Sequence, residues 1–226
     1  MGIEERKERE RRKRKNDIID AAEDVIFPKG IEHATMDEIA EKAELSKGTL
    51  YLYFKNKTDL YLAINIRGLT LLNQRFAEVL TENRPGIELV GRLGETYIDF
   101  VKNQPEYFKA MLFYESYDDV EELKESKVAN ACEDKGREAL TYAIRALQIG
   151  MQDDTIDDTY DPKMLAVQLW GGLRGIIQLY HMKSRGHYLS MLDEFELDLE
   201  MMFKNFMNLI LKGISKSSNT DSPKKM

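Results

Sequence analysis

The chain has 226 residues, 42% of them hydrophobic, enough to bury a real core in one large domain or, as we expect, in a small domain joined to a larger one. Its single cysteine, Cys132, excludes an internal disulfide and points to a reducing compartment. No apolar N-terminal run reads as a signal peptide, and charges interrupt every hydrophobic segment before it reaches the roughly 18 residues of a membrane helix. The expectation is a cytoplasmic protein with no membrane partner. The net charge of −7 argues against a nucleic-acid ligand only until it is divided along the chain. Residues 1–15 carry eight Lys or Arg against four Glu, residues 16–60 carry five against ten acids, and the rest holds −6. An anionic polymer would therefore meet the N-terminal end and be repelled by the body.

Apolar residues recur at spacings of three and four from near the start to about Ile214, so the chain reads as all-α. Ile18, Ile19, Ala22, Val25 and Ile26 form the stripe of a first helix, and Phe27-Pro28-Lys29-Gly30 reads as its stop. Thr35 with Glu38 three residues later is a capping-box pattern opening a two-turn helix through Ala43. Ser46 caps another short helix, expected to reach Tyr53, and Asn56 with Asp59 opens a long one. Pro85, Pro105 and Pro162 each suit the first turn of a new helix, the last capped by Asp161. Further helices are expected at about 86–102, 106–114, 120–149, 163–183 and 192–211, followed by a polar, disordered tail from Ser215. The expected division is a basic extension (1–15), a small three-helix domain (16–62), a helical body (63–214) and the tail (215–226).

Three helices in about fifty residues, the second and third short and tightly joined, fit a helix-turn-helix whose second short helix enters the DNA major groove. Gly48 in the first turn of that helix costs roughly 1 kcal/mol against alanine, which close approach to another surface would justify. Leu50 and Phe54, four apart, face the core, leaving Lys47, Thr49, Tyr51 and Tyr53 to project elsewhere. Ser46 and Thr35 both stand where helix N-caps belong.

The runs Thr35-Met36-Asp37-Glu38-Ile39-Ala40 and Ser46-Lys47-Gly48-Thr49-Leu50-Tyr51-Leu52-Tyr53-Phe54-Lys55-Asn56-Lys57 resemble the DNA-binding domain of the tetracycline-repressor (TetR) family, over about residues 12–62. The resemblance implies that Thr35, Ser46, Tyr51, Tyr53 and Lys57 contact phosphates, and that Lys47, Gly48 and Thr49 occupy the leading edge from which bases are read. It implies a homodimer on a near-palindromic double-stranded operator, released by a small-molecule effector. The run Arg6 to Lys15 exceeds the shortest family members; it is either an arm reaching phosphates or a minor groove, or a solvated helical extension or frayed tail.

The body shows no catalytic signature, no metal-ligand spacing and no cofactor motif; His33, His181 and His187 lie apart and Cys132 has no nearby histidine. It is rich in large soft side chains, and the family's cavity implies that some of Tyr97, Phe100, Phe108, Met111, Tyr114 and Trp170 line a pocket for a hydrophobic or amphipathic ligand. The last two helices carry broad apolar faces: Leu169, Gly172, Leu173, Ile176 and Tyr180, then Leu192, Phe195, Leu199, Met202, Phe203, Phe206 and Ile210. In the family such a pair packs on its two-fold mate as a four-helix bundle, with Gly171, Gly172 and Gly175 permitting close approach. Alternatives are a helical protein-binding adaptor, or an activator using the same DNA chemistry; an enzyme is not expected.

Overall fold

The computed structural model describes residues 2–115, 123, 126–184, 192 and 194–216. Among these lie nine α-helices: α1 (Ile3–Lys29), α2 (Met36–Lys42), α3 (Lys47–Tyr51), α4 (Lys57–Val79), α5 (Gly86–Asn103), α6 (Pro105–Glu115), α7 (Lys127–Gln152), α8 (Pro162–Ser184) and α9 (Leu199–Ile214). None is long and apolar enough to cross a membrane.

Local chemistry sets most helix ends. Thr35 and Glu38 form the reciprocal capping box at α2, the Ser46 hydroxyl accepts the Thr49 amide at α3, and Asn56 Oδ1 accepts the Asp59 amide at α4. The Asp161 carboxylate takes the Lys163 and Met164 amides at α8. Pro105 and Pro162 are first helical residues, whereas Pro85 precedes α5 and its carbonyl accepts from Glu88 and Leu89.

α1 ends within Phe27–Gly30, as expected, but the stop is Gly30 at φ +82° and not Pro28, which lies inside the last turn, where its missing N–H forfeits a single hydrogen bond. Three further expectations about boundaries need correction. The third helix ends at Tyr51 and not Tyr53, because the Leu52 and Tyr53 amides tighten onto the Thr49 and Leu50 carbonyls, three residues back. The last helix starts at Leu199 and not Leu192: the Asp198 side chain accepts the Met201 amide and sets the boundary, leaving Phe195 outside the helix and 56% exposed. The tail is ordered at its start, where Ser215 forms an antiparallel bridge with Ile156 and the Lys216 amide donates to Thr155; residues 217–226 lie outside the described residues. The start of the expected 120–149 helix also falls mostly outside them.

The chain divides into two compact units, Met1–Leu71 with Asn103–Gly136, and Leu72–Lys102 with Arg137–Met226. In the first, Ile18, Ala22 and Ile26 of α1 pack with Ile39 and Ala40 of α2, Leu50 and Phe54 around α3, and Leu60 and Ile64 of α4. Truncating one of these large side chains to alanine costs about 2–5 kcal/mol. α6 is keyed onto this core by Tyr107: its ring stands edge-on to Phe27 at 5.5 Å, and its hydroxyl donates to Glu23 at 3.0 Å. Its Cβ would lie 2.7 Å from any Cβ added at Gly68. Arg67 of α4 in turn donates to Asp20 at 2.6 Å and Glu23 at 2.9 Å on α1. Burial raises the Glu23 pKa, and Arg67 opposes it.

In the second unit α8 and α9 form a packed pair in which Phe206 occupies the space a side chain at Gly172 would need. Phe203 and Met207 of α9 lie against Gly94 of α5. The N-terminus of α5 is held to the end of α7: the Gly86 amide donates to Asp153 Oδ2 at 2.7 Å and the Ile87 amide to Thr155 Oγ1 at 3.2 Å.

Candidate nucleic-acid interface

The core decides which residues of the helix-turn-helix remain outward. Because Leu50 and Phe54 are buried, the leading edge of α3 presents Ser46, Lys47 and Gly48 exposed, with Thr49 beside them and Tyr51 beyond. Gly48 has no role in the fold: a Cβ there would meet nothing nearer than Ser46 Oγ at 3.9 Å, and its φ is not in the left-handed region. A helix-weakening residue thus stands where the protein itself leaves room for a Cβ.

The polar groups around this edge are differently engaged. Lys47 Nζ lies 2.7 Å from Asp37 Oδ1 on α2, both exposed, and this contact holds its pKa above the ordinary lysine value. Thr35 lies at the exposed start of α2, where its hydroxyl donates to Glu38 at 2.8 Å. Bonds from Lys29 and Thr35 bring Glu38 down to about 2. Ser46 and Thr49 share their hydroxyls at 2.8 Å. Lys57 Nζ donates to the Glu32 and Ala34 carbonyls at 3.3 and 3.1 Å, tethering the α1–α2 loop to α4. Tyr53 is half-buried against the core. Two exposed residues escaped the sequence reading: Leu52, 79% exposed just after α3, and Lys55. Leu52 stands two residues from each of the core positions Leu50 and Phe54, and its exposure in the fold is what separates it from them.

The pocket candidates are distributed over the two units. Tyr97 and Phe100 are buried in the second unit, the Tyr97 hydroxyl pushed up to about 12 by burial with Arg174 opposing. Phe108 and Met111 are buried in the first unit, with Tyr114 half-buried. Trp170 is 48% exposed on the outer face of α8.

Among the interface candidates, Leu173, Leu199 and Phe203 are buried within the single chain, Gly172 is taken up by Phe206, and Ile176, Tyr180 and Phe206 are partly covered. The outward face of the pair carries Met164, Val167, Trp170 and Leu179 on α8 and Met201 and Leu209 on α9. Gly171 and Gly175 open onto free space.

Cys132 is 1% exposed, its sulfur accepting the Asn65 amide at 3.0 Å, and burial pushes the thiol up to about 12. A disulfide-exchange chromogen at neutral pH should titrate no thiol in the native protein within an hour and one in denaturant. Rapid native labelling would refute this burial. Among the described residues no group of three His, Cys, Asp or Glu is placed to hold a metal.

Residues 18–64 match the family model described as bacterial regulatory proteins, tetR family. The chain is 28% identical over 157 residues to the HTH-type transcriptional activator FasR of Mycolicibacterium smegmatis, covering 65% of this chain and 71% of that one. The fold is shared with the transcriptional regulator FadR from Bacillus subtilis, solved in complex with stearoyl-CoA, at a TM-score of 0.64 and 20% identity over 88% of this chain and 98% of that one. It is shared also with AibR, solved with isovaleryl coenzyme A and operator DNA, at a TM-score of 0.59 and 17% identity over 87% and 97%.

Proposed function

The N-terminal domain of this chain belongs to the tetR family of bacterial regulatory proteins, and from that premise we propose that the protein is a homodimeric transcriptional repressor released from a palindromic operator by a small-molecule effector. The observation that carries the reading is the exposed edge of α3, where Lys47, Gly48 and Tyr51 stand free of the core and Gly48 answers no need of the fold. Lys47 and Thr49 reach base edges, Gly48 lets the backbone come close, and Tyr51 and Ser46 fix the docking through phosphates. Lys47 exchanges Asp37 for DNA, an exchange between two exposed partners that costs little. Thr35, Tyr53 and Lys57 brace the domain as well as flanking the backbone.

Two such edges need a two-fold axis. The outward face of α8 and α9, with Met164, Val167, Trp170, Leu179, Met201 and Leu209, is an apolar surface that a second copy covers. Gly171 and Gly175 let the helices approach there. Trp170→Glu should weaken the dimer at least tenfold by sedimentation equilibrium while leaving the protomer's helicity intact. An unchanged association constant would remove this face from the interface. The recognition helices then meet successive major grooves about 34–36 Å apart, or a multiple of that.

The effector is a hydrophobic or amphipathic molecule held in the helical body. Acyl thioesters of coenzyme A are the class to assay first, because two proteins of this fold are solved with them. An effector preferring a state with altered recognition-helix spacing releases DNA with a coupling of about 1–3 kcal/mol.

The decisive experiment is selection of bound duplexes from a random pool, repeated with Lys47→Ala and Tyr51→Ala. One palindrome should be enriched, and each variant should bind it about 10- to 100-fold more weakly. A folded, dimeric protein that enriches no sequence would favour the adaptor reading.

A further inference from the structure

α1 begins some four turns before it touches the core: Ile3 to Asp17 are all exposed, and the first buried residue is Ile18. At 1.5 Å per residue this overhang is about 22 Å long. Its charge is not evenly spread. Residues 4–10 hold four glutamates among three cations, with Arg6 paired to Glu10 at 3.0 Å and the Glu5 carboxylate accepting the Gly2 amide at 2.9 Å. Residues 11–15 are Arg-Arg-Lys-Arg-Lys, five consecutive cations in the turn and a half next to the domain. Arg11, Arg12, Lys13 and Arg14 form no ion pair among the described residues. Lys15 Nζ stands 5.5 Å over the ring of Phe54, which follows α3, so the collar joins the domain beside the recognition helix.

Cations at i, i+3 and i, i+4 on a helix repel, here as Arg11 with Arg14 and with Lys15. Nothing is buried in return, so the fold gains nothing from keeping them together. A polyanion beside α3 would neutralise them. We infer that the collar Arg11–Lys15 is a second DNA-binding element, which neutralises phosphodiester groups flanking each half-site and reads no bases. The inference rests on the DNA-binding reading of α3. It replaces the choice between an arm and a solvated extension with a helix that remains helical and contacts backbone through its inner end, the outer, self-paired segment holding that end in helical form.

The test compares the full chain with the quadruple variant R11Q/R12Q/K13Q/R14Q, which keeps helix propensity and removes charge. Both are titrated against the selected palindrome from 50 to 200 mM salt, on duplexes with and without flanking base pairs. Contact with two phosphates per protomer changes the salt slope of the dimer by about 3.6, so the wild-type affinity should fall about 100-fold more steeply than the variant's over this range. Trimming the flanks should weaken the wild type and leave the variant unmoved. Equal slopes, with the palindrome still bound, would overturn this inference and leave the α3 reading standing. Failure of the wild type to bind any duplex would overturn both.

Discussion

Gly48→Leu should make the protein slightly more stable and nearly unable to hold its operator. Glycine inside a helix costs roughly 1 kcal/mol relative to good helix formers, and a Cβ at position 48 would meet no atom nearer than Ser46 Oγ at 3.9 Å. Thermal unfolding should therefore shift upward by a few degrees. On DNA the same side chain stands between the α3 backbone and the groove. Losing one or two base contacts in each half-site, at about 1–3 kcal/mol apiece, removes about 4 kcal/mol, a roughly 1,000-fold loss of affinity. The opposite signs give the experiment its force, since a structural glycine would lose stability first and binding only as a consequence. Gly48→Leu with wild-type operator affinity would show that α3 does not approach DNA by this edge, whatever the melting temperature.

Much of the DNA-binding domain was legible because local and tertiary signals agree there. The stripe Ile18-Ala22-Ile26, the box Thr35–Glu38 and the cap Ser46 each specify a helix without reference to the rest of the chain, and the same residues then build one core. At the end of α1 the block Phe27–Gly30 was the right place but Pro28 the wrong cause: Phe27 before the proline stays helical, and Gly30 sets the end. Leu192 and Phe195 misled because periodicity continued beyond the boundary fixed by the Asp198 cap. In the body, periodicity located the apolar faces of α8 and α9 but could not say what covers them. Leu173, Leu199 and Phe203 are buried by their own chain, while Trp170, assigned to a pocket, faces outward. A broad apolar stripe on a helix holds two faces, and only the packed structure separates the one its own protomer fills from the one left for a partner. Gly172 shows the same ambiguity: its missing side chain accommodates Phe206 of the same chain.

The largest effect on folding is expected far from the DNA, at Gly86. A Cβ at this position would fall 2.0 Å from the amide nitrogen and 2.3 Å from the Cα of Gly150, both backbone atoms that no rotamer change can move. The contact is braced on either side by the Gly86 amide on Asp153 and the Ile87 amide on Thr155, so relieving the clash breaks those bonds as well. Gly150 cannot retreat either, because Ile156 lies where its own Cβ would be, 2.4 Å away, and Ile156 is bridged to Ser215. Overpacking costs about 1–3 kcal/mol where side chains can yield. With backbone on both sides and two hydrogen bonds at stake, Gly86→Ala should lose about 3–5 kcal/mol, a large share of the 5–15 kcal/mol typical of a folded protein. Urea denaturation would measure the loss, with Gly136→Ala as control: it sits in α7 with nothing within 4 Å of its Cβ and should gain up to about 1 kcal/mol. If Gly86→Ala were no less stable than Gly136→Ala, the close crossing of α5 and α7 would not be what holds the second unit together.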